Sequence, residues 1–360
     1  MSSFQVTVDG FFLIGELIGH SRFHSLIQRD RYILSFRKSW GNSRRLSKAC
    51  RKTDWDARVM LDPLGPSECK VEATWPEAGS ATFPLSPFPN SHSQLAIDNC
   101  FYFLRCVVAL DVDFRGRLWI LDVPTDKGCS AKIIIYDLRR NDQELTRIEL
   151  TDVPKKNLRA LVVNAGSSDH RAYVGDPGDE SIIVYSLGHQ RWWKLKLQHG
   201  PDIPIVYTSD LTISRKNSIL YLTGYPSHDL FSVSLDELNN EKEPFKEKIQ
   251  NTTVFWLGKK LGSSSGLFFD RQDGLHYFLI TEKASVRWNT RLELIAENHL
   301  VLLQTEDVPF INHYISDEQK NVWGLTNSWY PFRKQMQYSG NFTTKLRSRT
   351  VKIFNYKKKE

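Results

Sequence analysis

The sequence lacks the long apolar runs and clustered ligands that mark several large protein classes. No run approaches the roughly 18 consecutive apolar residues of a membrane-spanning helix, so we expect no membrane span. Cys-x-x-Cys pairs are absent and the ten histidines lie singly, which argues against a structural metal. Residues 262–266 come closest to a phosphate-binding loop, but no lysine follows, so a turn is the better interpretation. We expect neither a metal nor a cofactor.

Cysteine is absent after residue 129. The five cysteines are Cys50, Cys69, Cys100, Cys106 and Cys129. This distribution predicts one or two disulfides in that part of the chain, with at least one thiol left over. A clear secretory signal is also missing, because Asp9 precedes and Glu16 interrupts the apolar residues 11–19. A strand and a poor signal remain equal interpretations of these residues.

Acidic residues are fewer than basic ones, and the formal net charge is +7. Basic residues concentrate in residues 22–52 and 357–359. No helix-turn-helix, zinc-knuckle or RNA-binding motif accompanies them, so we interpret them as a solvated surface. Nucleic acid is therefore not an expected partner.

Aromatic residues, by contrast, are abundant, with 10 Trp, 13 Tyr and 20 Phe, and they favour strands over helices. They mark a repeated unit of an apolar stretch, a polar turn, an aromatic-centred strand, a second turn and another strand. The markers of its five copies are Trp119, Tyr173, Tyr221, Tyr277 and Trp323. Their spacings of 54, 48, 56 and 46 residues are close to the roughly 40 to 50 of four-stranded propeller blades.

This repeat predicts an all-β fold, a six-bladed β-propeller, because one blade cannot bury a core alone. Five copies occupy residues 107–360, so the sixth blade must come from the N-terminal third, where residues 31–36 and 57–61 are candidate strands. A β-sandwich is the alternative, but the regular aromatic spacing favours the propeller. We divide the chain into a divergent N-terminal segment, 1–55, as a source of a closing strand, and one propeller domain, 56–360.

An ordered set of short segments runs from about residue 57 to residue 335. They are residues 85–90, 98–100, 111–122 with a Gly-Arg-Leu-Trp core, 128–132, 136–138, 172–176, 183–185, 211–214, 288–289 and 323–327. This set resembles the yellow / major royal jelly protein family of insects. The resemblance implies a six-bladed propeller and a disulfide between Cys100 and Cys129. Arg287 stands where the family usually has a cysteine, and residues 1–55 do not resemble it.

Members of that family are secreted, so the resemblance implies an extracellular protein. It implies a binding or structural role in cuticle or eggshell formation, pigmentation, or the binding of a small aromatic amine or catechol-derived ligand. Extracellular matrix proteins are further expected partners. The alternative is a dopachrome-converting enzyme of the melanin pathway, of isomerase or tautomerase type. Sequons at Asn251 and Asn341 permit glycosylation of a secreted chain.

Propellers bind ligands at the mouth of the central channel, where the innermost strands begin or end. By position in the repeats, the candidate ligand-binding residues are Asp210, Asn289, Asn312 and Asn327, with Trp288 and Trp329 as aromatic walls. Such a set suits an aromatic amine, because its ring stacks on aromatic side chains and its ammonium pairs with a carboxylate. The competing interpretation is that the polar residues serve turns and the tryptophans pack between blades.

No catalytic centre is evident in the sequence, and we assign no catalytic residue. Dopachrome conversion requires a proton transfer, for which His228, His276 and His313 are available, but none has an acidic partner evident in the sequence. Asp111 and Asp113 alternate on one predicted strand, and we interpret them as structural. A binding role is therefore favoured over an enzymatic one.

Overall fold

The computed structural model of this chain describes residues 88–90, 92–94, 100–124, 128–165, 169–239, 248–308, 310–317, 321–326 and 349–355. In this part of the chain, strands dominate and are grouped into five sheets. One short α-helix is present there, α1 (Leu235–Asn239). Short 3-10 helices span His92–Gln94, Leu138–Arg140, Lys155–Asn157 and Ala296–Asn298.

The first two sheets are antiparallel meanders of consecutive strands, each the product of one repeat unit. Blade 1 consists of β1 (Val107–Val112), β2 (Arg117–Asp122), β3 (Ala131–Asp137) and β4 (Gln143–Leu150). Blade 2 consists of β5 (Leu161–Ala165), β6 (His170–Asp176), β7 (Ser181–Ser186) and β8 (Arg191–Gln198).

Blade 3 shares one continuous outer segment of chain with blade 2. It begins with β9 (Asp210–Ser214), β10 (Ile219–Thr223) and β11 (Asp229–Ser234). The chain then adds β12 (Ile249–Thr253) in parallel to β8 of blade 2, and β13 (Phe255–Lys259) antiparallel to β11. Residues 249–259 thus tie the outer edges of two neighbouring blades together.

The remaining strands form blades 4 and 5. Blade 4 consists of β14 (Ser264–Phe269), β15 (Gly274–Leu279), β16 (Ala284–Asn289) and β17 (His299–Gln304). Blade 5 consists of β18 (Ile311–Ser316), β19 (Asn321–Thr326) and β20 (Arg349–Asn355).

The all-β propeller is confirmed, but the described part of the chain forms five blades where the sequence predicted six. Each of the five repeat units supplies one blade, and within the described ranges no strands are left over for another. The strands proposed for a sixth blade, at residues 31–36 and 57–61, lie outside the described residues, as does segment 1–55.

The hydrophobic core lies between neighbouring blades. Trp119 and Ile135 of blade 1 pack with Ala172 and Ile183 of blade 2, and all four are fully buried. Corresponding clusters fill the interfaces between blades 2 and 3, blades 3 and 4, and blades 4 and 5. A central strand of a blade is therefore covered on both faces, which is why its sequence is continuously apolar instead of alternating.

A carboxylate after the innermost strand holds the first turn of three blades. Asp113 accepts the backbone N–H groups of Arg115 and Arg117 at 2.9 and 3.1 Å, and the indole N–H of Trp119 at 3.0 Å. In blade 5, Asp317 likewise accepts the indole N–H of Trp323, six residues later, at 2.9 Å. These contacts confirm the structural interpretation of Asp113, because they use the carboxylate to fix the turn and the buried aromatic side chain together.

In blade 4 the residue at this position is a histidine. His276, six residues after Asp270, bonds its carboxylate at 2.9 Å, and Arg287 joins the same carboxylate at 2.6 Å. His276 pairs with Phe268 as Trp119 pairs with Asp111, so His276 occupies the repeat position of Trp119. The marker Tyr277 lies one residue beyond it and faces blade 3, while His276 faces blade 5. Arg287 therefore serves this buried carboxylate at the position where a cysteine was expected.

Candidate functional site

The innermost strands β1, β5, β9, β14 and β18 follow one another around the axis of the propeller. Polar side chains on them bond the backbone of the next blade. Asp111 accepts the N–H of Val163 at 2.8 Å, and Thr212, at the equivalent place of blade 3, accepts the N–H of Phe269 at 3.0 Å. We call the end where these strands start, at Asp210 in β9, the entry end, and the end where they finish the exit end.

Asp111 lies near the exit end, one residue before the end of β1. Its carboxylate accepts the N–H groups of Val112 and Val163, each at 2.8 Å. Arg215, which donates to the Val163 carbonyl at 3.2 Å, lies close enough to favour the ionised form. Burial outweighs these contacts and raises the pKa of Asp111 to about 6. One carboxylate oxygen therefore bonds the next residue of β1, and the other joins blade 1 to blade 2.

The entry end holds a carboxylate and an ammonium that are not paired with each other. Asp210 accepts the backbone N–H of Gly266, and burial raises its pKa to about 6. Lys260 follows β13 and is 3% exposed. Its ammonium donates to the Thr223 hydroxyl and to the Ser227 carbonyl at 3.2 Å, and burial lowers its pKa to about 8. Both groups therefore change charge close to neutral pH.

Blade 5 brings an imidazole to the same height of the propeller. His313 pairs across the strands with Leu325, and Asp210 pairs with Thr223 in the same way. Leu325 and Thr223 each lie two residues after the aromatic marker of their blade, so His313 and Asp210 occupy equivalent positions. The His313 side chain is reached by solvent but surrounded by protein, and this desolvation lowers its pKa. Asn312, partly exposed, precedes it in the β18 bulge. Polar groups of blades 3 and 5 thus both lie near the entry end.

The structure brings together two of the predicted ligand-binding residues. Asp210 and Asn312 both lie on innermost strands near the entry end. Trp288 and Asn289 lie instead on β16, the third strand of blade 4. Trp288 is buried between blades 3 and 4, and its indole N–H donates to the Glu293 carbonyl at 3.1 Å. Asn289 ends β16 and accepts a backbone N–H of the following turn.

Other predicted residues have different outcomes. Asn327, Trp329 and Asn341 lie outside the described residues. Asn251 is exposed on β12, where its sequon stays a prediction. The disulfide between Cys100 and Cys129 is confirmed, with sulfurs 2.06 Å apart, and Cys106 is disulfide-bonded as well.

No acidic partner of His276 was evident in the sequence, but the structure provides one. Asp270 lies against its ring, and the spacing of six residues, shared with Asp113 and Trp119, was the available signal. His276 is fully buried, so the pair is structural. Lys260 was missed altogether, because the side chain and carbonyl it bonds come from other segments of blade 3 and no local pattern marks it.

Within the described ranges, no group of three or more His, Cys, Asp or Glu side chains is arranged to hold a metal ion. The helices found there are all too short or too polar to cross a membrane.

Comparisons with known proteins agree with this architecture. The family model described as "Major royal jelly protein" matches residues 105–354. Protein yellow of Drosophila yakuba is 24% identical over 279 residues, covering 68% of this chain and 50% of the relative. Protein yellow of Drosophila subobscura is 25% identical, covering 68% and 48%. The chain thus spans about half the length of the curated relatives it matches.

Similarity to solved structures is distant. A chain in the crystal structure of a nidogen/laminin complex aligns at 13% identity with a TM-score of 0.45, covering 62% of this chain and 73% of that chain. The sequence family is more informative, because its match extends from residue 105, just before β1, into β20, across all five blades. The chain therefore belongs to the major royal jelly protein family.

Proposed function

We propose that this protein is an extracellular binding protein of the yellow / major royal jelly type, which holds a small aromatic amine at the entry end. The observation that carries this proposal is the Asp210 carboxylate. It lies on an innermost strand, is partly exposed, and among the described residues has no cation within 4.0 Å. A ligand ammonium would supply the missing charge, while its ring lies along the channel wall.

Titration calorimetry with serotonin, dopamine and octopamine tests this proposal. We expect Asp210→Asn to weaken binding by roughly 10- to 100-fold, the effect of one charge-assisted hydrogen bond. Affinity should also fall as the pH drops through about 6, because the carboxylate then gains a proton. Asp152→Asn is the matched control, since it removes an exposed negative charge at a position with φ 64° that Asn tolerates. No heat from any amine would refute the proposal.

A dopachrome-converting enzyme is the second candidate. It is supported by Asp210 and Lys260, with pKa values of about 6 and 8, which suit the removal of a proton from carbon and its return elsewhere. The assay is the loss of dopachrome absorbance over native protein, heat-denatured protein and Asp210→Asn. A rate equal to that of the heat-denatured control would exclude the enzyme.

Secretion and a place in cuticle or eggshell complete the proposal. Family membership supports both, and the disulfide between Cys100 and Cys129 is of the kind that forms in oxidising compartments. Exposure of Asn251 suits a glycan on β12. A mass decrease after glycosidase treatment of the secreted chain, absent in Asn251→Gln, would test the modification.

A further inference from the structure

The polar groups of the entry end continue behind Asp210 along blade 3. Thr223 is the cross-strand partner of Asp210, so the two side chains project as neighbours from the same face of the sheet. The Thr223 hydroxyl donates to the Asp229 carbonyl at 2.8 Å and accepts the Lys260 ammonium. Lys260 and Asp210 therefore lie on the same side of the blade, yet their charged atoms stay more than 4.0 Å apart.

The Lys260 ammonium has more donors than the protein accepts. It carries three N–H donors. In the described part of the chain it bonds two acceptors, the Thr223 hydroxyl and the Ser227 carbonyl. Since Lys260 is 3% exposed and buried polar groups are nearly always bonded, the remaining donor indicates an acceptor that is not supplied by these blades.

Ser264 provides a second donor of this kind. The residue is 1% exposed, and its hydroxyl has no hydrogen-bond partner among the described residues. The next residue, Ser265, donates to the Ile311 carbonyl of blade 5 at 2.6 Å. Because successive side chains of a strand point to opposite faces, Ser264 points to blade 3, the side of Asp210 and Lys260.

We propose that Asp210, Lys260 and Ser264 form a site for the head group of an aromatic α-amino acid. Its ammonium pairs with Asp210, and its carboxylate accepts the free N–H of Lys260 and the O–H of Ser264. An amino acid is a zwitterion, so its two head-group charges match a carboxylate and an ammonium that lie near each other without forming an ion pair. The inference rests on the proposed function, because Asp210 is the shared contact, and it changes the ligand class from a decarboxylated amine to its parent amino acid.

The ionisation of the two groups supports this assignment. Burial raises the pKa of Asp210 to about 6 and lowers that of Lys260 to about 8. Between these values both side chains are charged, as the ligand requires. Asp229 also lies near the ammonium and favours its protonated form, while its own carboxylate accepts Ser227 and Trp256 at 3.1 Å each.

Ligand pairs that differ only in the carboxylate test the inference. Calorimetry compares L-tyrosine with tyramine, L-DOPA with dopamine, and L-tryptophan with tryptamine. We expect the amino acid of each pair to bind about 10-fold more tightly, the effect of one charge-assisted hydrogen bond. Lys260→Met should abolish this preference and leave amine binding in place. Lys259→Met is the control, because Lys259 is the exposed neighbour on β13.

Ser264→Ala keeps the test decisive if Lys260→Met fails to fold. The alanine removes a hydroxyl that bonds no described residue, so we expect an unchanged melting temperature together with weaker amino acid binding and unaltered amine binding. Amines that bind as tightly as the amino acids, or a preference unchanged in both variants, would overturn the inference while the amine-binding proposal stands. An absence of binding by every ligand would overturn both.

Discussion

Asp111→Asn should make the protein's stability less sensitive to pH. Asp111 lies partly buried between blades 1 and 2, where its carboxylate accepts the N–H groups of Val112 and Val163. Burial raises its pKa from 3.8 to about 6. The folded protein thus opposes ionisation of this group more than the unfolded chain does. Asn resembles the protonated carboxyl group in shape and charge, so the variant lacks this penalty.

The magnitude follows from the difference between the two pKa values. One pH unit corresponds to about 1.4 kcal/mol, so the difference between 3.8 and about 6 amounts to about 3 kcal/mol. Because the pKa of Asp111 is raised in the folded protein, its contribution to the free energy of unfolding is fully present below pH 3.8 and is lost as the pH rises through about 6. Between pH 4 and pH 8, the stability of Asp111→Asn relative to the wild type should therefore rise by about 2 kcal/mol.

Urea unfolding at several pH values between 4 and 8 measures this change. Most of the difference should be in place by pH 6, with little further change above pH 7. Asp202→Asn, at an exposed position, is the control for general effects of charge. A free-energy difference between Asp111→Asn and the wild type that stays constant with pH would refute the reasoning, because Asp111 would then ionise alike in both states.

Three further changes test the contacts that hold blade 1. Lys132→Met should lower the free energy of unfolding in urea by about 3 to 5 kcal/mol, because it removes the ammonium that lies 2.8 Å from the fully buried Asp122 carboxylate. A decrease below about 1 kcal/mol would contradict this expectation. Replacing Cys100 and Cys129 by serine opens a link across 29 residues and should cost about 3 to 4 kcal/mol, seen as a lower melting temperature in non-reducing buffer only. Asp113→Ala should lower the free energy of unfolding by at least about 2 kcal/mol, and the tryptophan fluorescence of this variant should indicate that the Trp119 indole is more exposed to water.

The blades were predictable because each one is a local repeat. The five markers, from Trp119 to Trp323, fall on the second strands of the five blades. An aromatic marker alone was misleading in blade 4, because the residue six positions after the turn carboxylate is His276, and the aromatic Tyr277 beside it faces the opposite neighbour. β12 was equally hidden, since its parallel pairing with β8 joins residues about fifty positions apart and depends on the arrangement of two blades.

The candidate site was less predictable, for the same physical reason. Asp210 and Asn312 were found because each lies at a fixed place in its repeat. Trp288 was misplaced at the channel, since an aromatic residue suits an interblade core as well as a ligand wall. Lys260 had no local signal, because its burial comes from the packing of blade 3 and the chain that leads into blade 4.

Asp111 and Asp210 show why equal pKa values do not imply equal roles. Both carboxyl groups titrate near pH 6 because burial opposes their charge. Asp111 accepts the N–H of Val112 with one oxygen and that of Val163 in blade 2 with the other, each at 2.8 Å, so both oxygens are occupied by backbone donors. Asp210 accepts one, from Gly266, and lies near an ammonium whose donors are not all accepted. Asp111→Asn should therefore change stability without changing ligand affinity, whereas Asp210→Asn should change affinity; equal losses of affinity in both variants would place the ligand elsewhere in the channel.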